Sequence, residues 1–246
     1  MQDGYLGVDG CRGGWFVVQL SKSGAWKTVL AQNRDELAKH IESSTLTLID
    51  IPIGMLDSAG SQRQCDQQAR KVLGMPRAAS VFSVPSRPAV YEKNYSQACQ
   101  LNYRLLGKKL SKQTWNITAK IRQIDELLQN DFDLRRKLRE SHPEVCFWAL
   151  NNKKAMRFNK KQTAGREERM HVLLSYFPKA HQILEFAADN YRRKEVAIDD
   201  IIDAMSLAVT AVLGHNKLSS FPSVVRLEER GLKMEIVFWV PLKNNL

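Results

Sequence analysis

The sequence predicts an α/β domain built on a mixed sheet, three antiparallel strands followed by parallel ones, with flanking helices and a helical insertion. Three observations carry this. Residues 5–9, 15–20 and 25–31 are short apolar stretches joined by the turns Gly10–Gly14 and Ser23–Gly24, the pattern of hairpin-linked strands. A helix start at Asn33 then separates them from Thr45–Ile53, a run that is apolar on both faces near its end, as a buried central strand would be. A helical crossover of this kind returns the fourth strand parallel to the first and beside it.

The elements follow in order. Asn33 reads as an N-cap and Glu36, three residues on, completes a capping-box-like pattern, so a helix runs to about Ser43 with Leu37, Ala38 and Ile41 inward. Asp50 lies within the fourth strand run, which Pro52-Ile53-Gly54 ends. Residues 55–140 read as a helical insertion or cap. Gln62–Leu73, Ser96–Leu106 and Ile117–Leu128 are its helices, and Gly74–Pro88 is a mostly extended segment. His142–Leu150, rich in aromatic and β-type residues, reads as a strand led by Glu144. Residues 153–166 read as a basic loop and Glu167–Tyr176 as a helix. Ile198–Leu213 is the clearest helix in the chain, and Leu232–Val240 an added strand at an edge.

At 246 residues, 43% of them hydrophobic, the chain suits one large domain, residues 1–246, that includes the insertion. No apolar run has membrane-spanning length, and the first residues lack a basic region followed by an apolar segment, so neither a membrane partner nor a secretory signal is expected. Cys11, Cys65, Cys99 and Cys146 are far apart and show no paired zinc-ligand spacing; reduced thiols in a cytoplasmic protein are the expectation. The net charge of +11 and pI of about 9.6 favour an anionic partner, nucleic acid being the commonest. The charge is concentrated. Residues 104–122 carry six Lys and Arg with no acid, and residues 153–169 include Arg157, Lys160, Lys161, Arg166 and Arg169. Trp115 stands within the first stretch, open either to stacking on a base or to simple packing. Nothing in the sequence decides between a monomer and a homodimer.

Against this basic background the acids stand out. Asp9 closes an apolar strand, and an ionised carboxylate is costly to bury unless it is paired or holds a metal. Asp50 belongs beside it at the same sheet edge if the fourth strand is parallel. Asp199, Asp200 and Asp203 cluster at the start of the last helix. At 100° per residue, Ile198, Ile201, Ile202, Met205, Val209 and Val212 form an apolar stripe, widened by Ala204, Leu207, Ala208 and Ala211. Asp200 falls inside that arc and Asp203 just beyond its edge, whereas Asp199 points away and suits an N-cap. Favourable interaction with the helix dipole accounts for Asp199 well, for Asp200 in part and for Asp203 poorly. Oxygen donors alone suit Mg2+ or Mn2+, not zinc, and two such ions about 4 Å apart can stabilise both oxygens of a phosphodiester displacement.

This order of elements and acids resembles the RNase H-like superfamily of nucleases, and its last-helix pair resembles the Holliday-junction-resolvase branch. More closely, the chain resembles the domain-of-unknown-function family 429, regarded as predicted RNase H-like nucleases. The matching stretches are Gly7–Trp15, Ile49–Gly54, Ser80–Phe82 through Arg87, Gln113–Trp115 through Asp125, His142–Glu144 and Asp200–Ala204. The resemblance implies an RNase H-like mixed sheet and a metal-dependent nuclease using two Mg2+ or Mn2+ ions. It makes Asp9 the first-strand acid, Asp50 the fourth-strand acid, Asp200 and Asp203 the last-helix pair, and Glu144 an extra ligand or water-positioning acid. Asp9, Asp200 and Asp203 are then the metal ligands. The superfamily often has a glutamate where this chain has the shorter Asp50. Arg12, Arg77, Arg87, Trp115 and Arg166 are the candidates for holding substrate; Arg12 is equally open to a phosphate contact or pairing with Asp50 and to solvent alone.

Two other readings compete. An actin- or sugar-kinase-like phosphotransferase or ATPase shares the core fold and uses a glycine turn after a first-strand Asp, but normally needs two such halves, and Gly10–Gly14 lacks a Gly-Lys-Ser/Thr ending. A nucleic-acid-binding protein without activity is disfavoured because unneutralised carboxylates would repel phosphate.

Overall fold

The computed structural model describes residues 4–59 and 62–241, so Met1–Asp3 of the N-terminal reading lie outside it. The chain opens with β1 (Tyr5–Cys11), β2 (Gly14–Leu20) and β3 (Trp26–Ala31), then α1 (Arg34–Glu42) and β4 (Leu46–Ile49). With β5 (Leu138–Glu140) these form a five-stranded sheet of order β3-β2-β1-β4-β5. β1–β2 and β2–β3 are antiparallel, and β1–β4 and β4–β5 parallel. This mixed sheet, flanked by helices, is the arrangement expected of an RNase H-like fold.

Asn33 caps α1 by accepting from the N–H groups of Asp35 and Glu36, while the Glu36 carboxylate reaches back one residue further than a capping box, to Gln32 N–H at 2.8 Å. β4 is shorter than the apolar run suggested. Asp50 is the first residue past it, still donating its N–H to Val8 O at 3.0 Å.

Between β4 and β5 lie α2 (Gln64–Leu73), a 3-10 turn at Arg77–Ser80, α3 (Arg87–Tyr91), α4 (Tyr95–Leu106), α5 (Lys112–Asn130) and α6 (Phe132–Lys137), while the last residues of the expected 55–140 block belong to the sheet as β5. The segment expected to be extended therefore contains two short helical pieces, the second begun by Pro88 in its first turn, where a missing N–H costs nothing. The fifth strand is not at residues 142–150 but just before them, at β5. Residues 143–150 form a helix, α7 (Pro143–Leu150), with His142 as N-cap and Pro143 at its first position. Every residue of α7 is buried, so its apolar run has no polar face to reveal a period, and such runs suit a buried strand or a buried helix alike.

After α7 come α8 (Thr163–Leu174), α9 (Ala180–Asn190) and α10 (Ile198–Gly214). The tail forms a separate two-stranded sheet, β6 (Ser219–Leu227) with β7 (Lys233–Phe238), instead of extending the main one. It adjoins the β5 edge through the Ser141–Val237 bridge and the Arg139–Glu235 ion pair at 2.7 Å.

Alternation along β1 and β2 sends their side chains to two cores. Leu6, Val8, Trp15 and Val17 pack with α1 and α5, whereas Phe16, Val18 and Leu20 pack with α7–α10. Gly7 is on the α10 side, and there the helix lies directly on the strand: a Cβ at Gly7 would stand 2.1 Å from Ala204 O. All four cysteines are free and buried. Among the described residues no helix is long and apolar enough to cross a membrane.

Candidate active site

Strand register assembles the site. Val8 is level with Ile49, and Ile49 with Glu140, so Asp9, still paired to β2, lies side by side with Asp50 and Ser141 at the carboxyl ends of the three parallel strands. That edge is where open α/β sheets place their ligands. Two residues on, α7 starts and sets Glu144 at the same edge. Asp9 is two positions beyond Gly7 and so shares its face. Because α10 touches Gly7 at Ala204, the turn that carries Asp200 and Asp203 stands over Asp9. Asp9, Asp50, Glu144, Asp200 and Asp203 thus line one open cavity of about 480 Å³, together with Arg77, Lys120, His142 and Lys160.

Asp9, Glu144 and Asp203 are buried, while Asp50 and Asp200 are half-buried. Burial raises the Asp9 pKa well above the ordinary carboxylate value, and the charges of Asp50, Asp203 and Asp200 add to it. Burial likewise raises Asp50, against His142 and Lys160, and raises Asp200 despite its hydrogen bond from Ala197 N–H at 2.8 Å. Asp203 is pushed up to about 6, burial outweighing Lys160.

Two cations attend these acids in different ways. Arg169 is fully buried: it holds Glu144 Oε1 and donates to Gly165 O at 2.8 Å and Phe158 O at 3.1 Å. Lys160 reaches in from the 151–162 loop and places Nζ 2.5 Å from Asp203 Oδ2. Burial would lower the Lys160 pKa, but Asp203, Asp9 and Asp50 together hold it above the ordinary lysine value. One oxygen of each acid, Glu144 Oε2 and Asp203 Oδ1, is buried with no partner. His142 Nδ1 accepts the Glu144 N–H at 3.2 Å, which caps α7 and leaves Nε2 toward Ser80 O.

The chain leading away from Asp50 is pinned as well. Glu140 accepts from Ile53 N–H at 2.6 Å, and Arg63, itself paired with Glu140, donates to the carbonyls of Ile53 and Gly54 at 2.8 and 2.7 Å.

A family described as protein of unknown function (DUF429) matches residues 7–226. The chain belongs to the DUF429 family. No curated protein and no solved structure matches it.

In this DUF429 chain the five acids line one cavity, and Asp200 and Asp203 each have one carboxylate oxygen engaged within the chain. Among the described residues no three His, Cys, Asp or Glu side chains form a group that could hold a metal ion. Lys160 takes Asp203, and the backbone N–H of Ala197 takes Asp200. Ala197, not Asp199, is the N-cap of α10, with Asp200 reaching back to it.

The expected substrate contacts divide. Arg77 lines the acid cavity. Arg12 is exposed and not paired with Asp50; it lines a second cavity of about 420 Å³ with the Gly10–Trp15 turn, which adjoins the first through Gly10 and Lys120. Arg87 is removed from substrate binding, because its buried guanidinium is taken up by Asp57, Asp125 and Glu228. Trp115 packs edge-on against Tyr95, ring centres 5.8 Å apart, and Arg166 is half-buried outside the cavity lining.

Lys160 and Lys120 are legible in the sequence only as charge. Arg169 had one further signal, its place among Met170, Val172 and Leu173 on a helix, where an arginine needs a buried partner. Lys120 donates to Gly14 O at 2.5 Å and lies over the Trp15 ring. No sequence period could have paired Lys160 with Asp203, 43 residues away.

Proposed function

We propose that this protein is a nuclease that hydrolyses phosphodiester bonds with Mg2+ or Mn2+. The reading rests on the convergence of Asp9, Asp50, Asp200 and Asp203 from three elements on one open cavity, in a chain of net charge +11. Crowding four ionised carboxylates opposes folding at neutral pH, since burial raises all four pKa values and neighbouring acids add to it at each. Such clusters occur where chemistry requires them. The donors are all oxygens, which fits a hard divalent ion, and the unpartnered Asp203 Oδ1 is an oxygen available to it. Asp9, Asp200 and Asp203 would hold the ion. When bound, it would supply an activated water and stabilise charge on the phosphoryl oxygens. Asp50 and Glu144 are left to orient water, Glu144 held still by Arg169. Arg77, Lys120 and Lys160 on the cavity wall are suited to the phosphate backbone.

The test is a panel of single-stranded, duplex, hybrid and branched RNA and DNA with Mg2+ or Mn2+, beside an ATP-hydrolysis control. Wild-type protein should cleave at least one substrate. Asp9→Asn should lose at least about a hundredfold in rate while keeping its circular dichroism spectrum. Undiminished cleavage by that variant would sink the assignment.

A further inference from the structure

We infer that the Lys160 ammonium is a tethered stand-in for a divalent cation, neutralising the acid cluster in the ion-free chain and leaving Asp203 when an ion binds. This rests on the metal-site reading above and concerns what competes with the ion.

The two cations that pair directly with these acids among the described residues, Arg169 and Lys160, are built differently. Arg169 is wholly buried and spreads its hydrogen bonds over Glu144, Gly165 and Phe158, so it has nowhere to go. The Lys160 side chain is 36% exposed and among the described residues has a single short contact, to an Asp203 carboxylate that is itself only 1% exposed. The compact ammonium sits on a flexible four-carbon stem, so breaking that one contact frees it into solvent.

The backbone beneath it is fastened. Phe158 O accepts from Arg169 and Arg77, at 3.1 and 3.4 Å. The N–H groups of Arg157 and Phe158 donate to Glu168 at 3.0 and 3.1 Å, and Gln162 N–H to Asn159 O at 3.0 Å. The stem can therefore swing without the loop rearranging.

Its charge also has the reach of a site ion. It lowers the pKa of Asp9, Asp50 and Asp200 as well as that of Asp203. Asp203 is one oxygen short of partners, since Oδ1 is buried and unpaired while Oδ2 holds the ammonium. An incoming ion would find Oδ1 free, and would face the repulsion of Lys160 until it leaves. Apparent ion affinity is then the intrinsic affinity multiplied by the fraction of molecules with Lys160 swung out.

Calorimetric titration of the full chain with Mn2+ alone separates the outcomes. Lys160→Met should bind Mn2+ at least about tenfold more tightly than wild type, because every molecule is then competent. Lys160→Arg, which keeps the charge, should stay near wild type, and Asp203→Asn should bind more weakly. Without ion, Lys160→Met should melt lower than wild type, and saturating Mn2+ should raise its melting temperature by more. If Lys160→Met does not fold, Lys160→Gln, which can still donate to Asp203, takes its place with the same expectation. Equal or weaker Mn2+ binding by the neutral variant overturns the stand-in role and leaves the metal site intact. Absence of Mn2+ binding in every variant overturns both.

Discussion

Asp203 shows how one side chain is placed under opposing demands. It is 1% exposed, has one oxygen on Lys160 and the other without a partner, and its pKa stands at about 6 against an ordinary 3.8. A carboxylate with a raised pKa holds its proton to higher pH in the folded chain than in the unfolded one. Its contribution to stability is therefore complete below about pH 4 and lost as pH rises through about 6. Asp203→Asn cannot titrate, and Lys160 stays charged across this window. The melting temperature of the variant minus that of wild type, measured in chelator, should grow between pH 4 and pH 6.5. A constant difference would mean that Asp203 does not titrate there.

At the scale of elements, the site depends on how closely α10 lies on β1. Gly7 permits this: a methyl group there would stand 2.1 Å from Ala204 O and 2.3 Å from Ala208 N, both backbone atoms that cannot turn aside. Gly7→Ala should destabilise the fold by about 3 kcal/mol, read from denaturant midpoints. Because α10 carries Asp200 and Asp203, the variant should also lose divalent binding under conditions where it remains folded. Wild-type stability in this variant would mean that α10 is not seated on the strand. α7 shows the opposite case, in which local signals disagreed. Its apolar composition suited a strand, whereas His142-Pro143-Glu144 held the marks of a helix start, with proline where the missing N–H is harmless. The true strand, Leu138–Glu140, has three residues, too few for alternation to show.

For the whole molecule, the net charge of +11 is not spread evenly over the surface. Part of it is structural. Arg87 joins Asp57, α5 and the β6–β7 connection through three carboxylates, and Arg63 and Arg169 are buried with their own acids. Other cations, Arg12, Arg77, Lys120 and Lys160, border the two adjoining cavities. Nucleic-acid binding through these should weaken steeply with added salt, the logarithm of affinity falling linearly with the logarithm of salt concentration. Fluorescence anisotropy with a labelled oligonucleotide in chelator would read the slope, and a flat response would point to a small substrate instead.

The sequence by itself determined the hairpin-linked opening strands, the parallel return of β4, the last helix and the five acids, because alternation, capping residues and helical period are local properties that neighbours enforce on one another. Only the tertiary structure decided which charges matter. Arg87 stands in the Pro- and Ser-containing segment and Lys160 in the basic loop, and neither setting names a partner. Arg87 is spent on three carboxylates, and Lys160 reaches Asp203 across 43 residues. A salt bridge depends on where folded elements bring two side chains, and no local pattern records that distance.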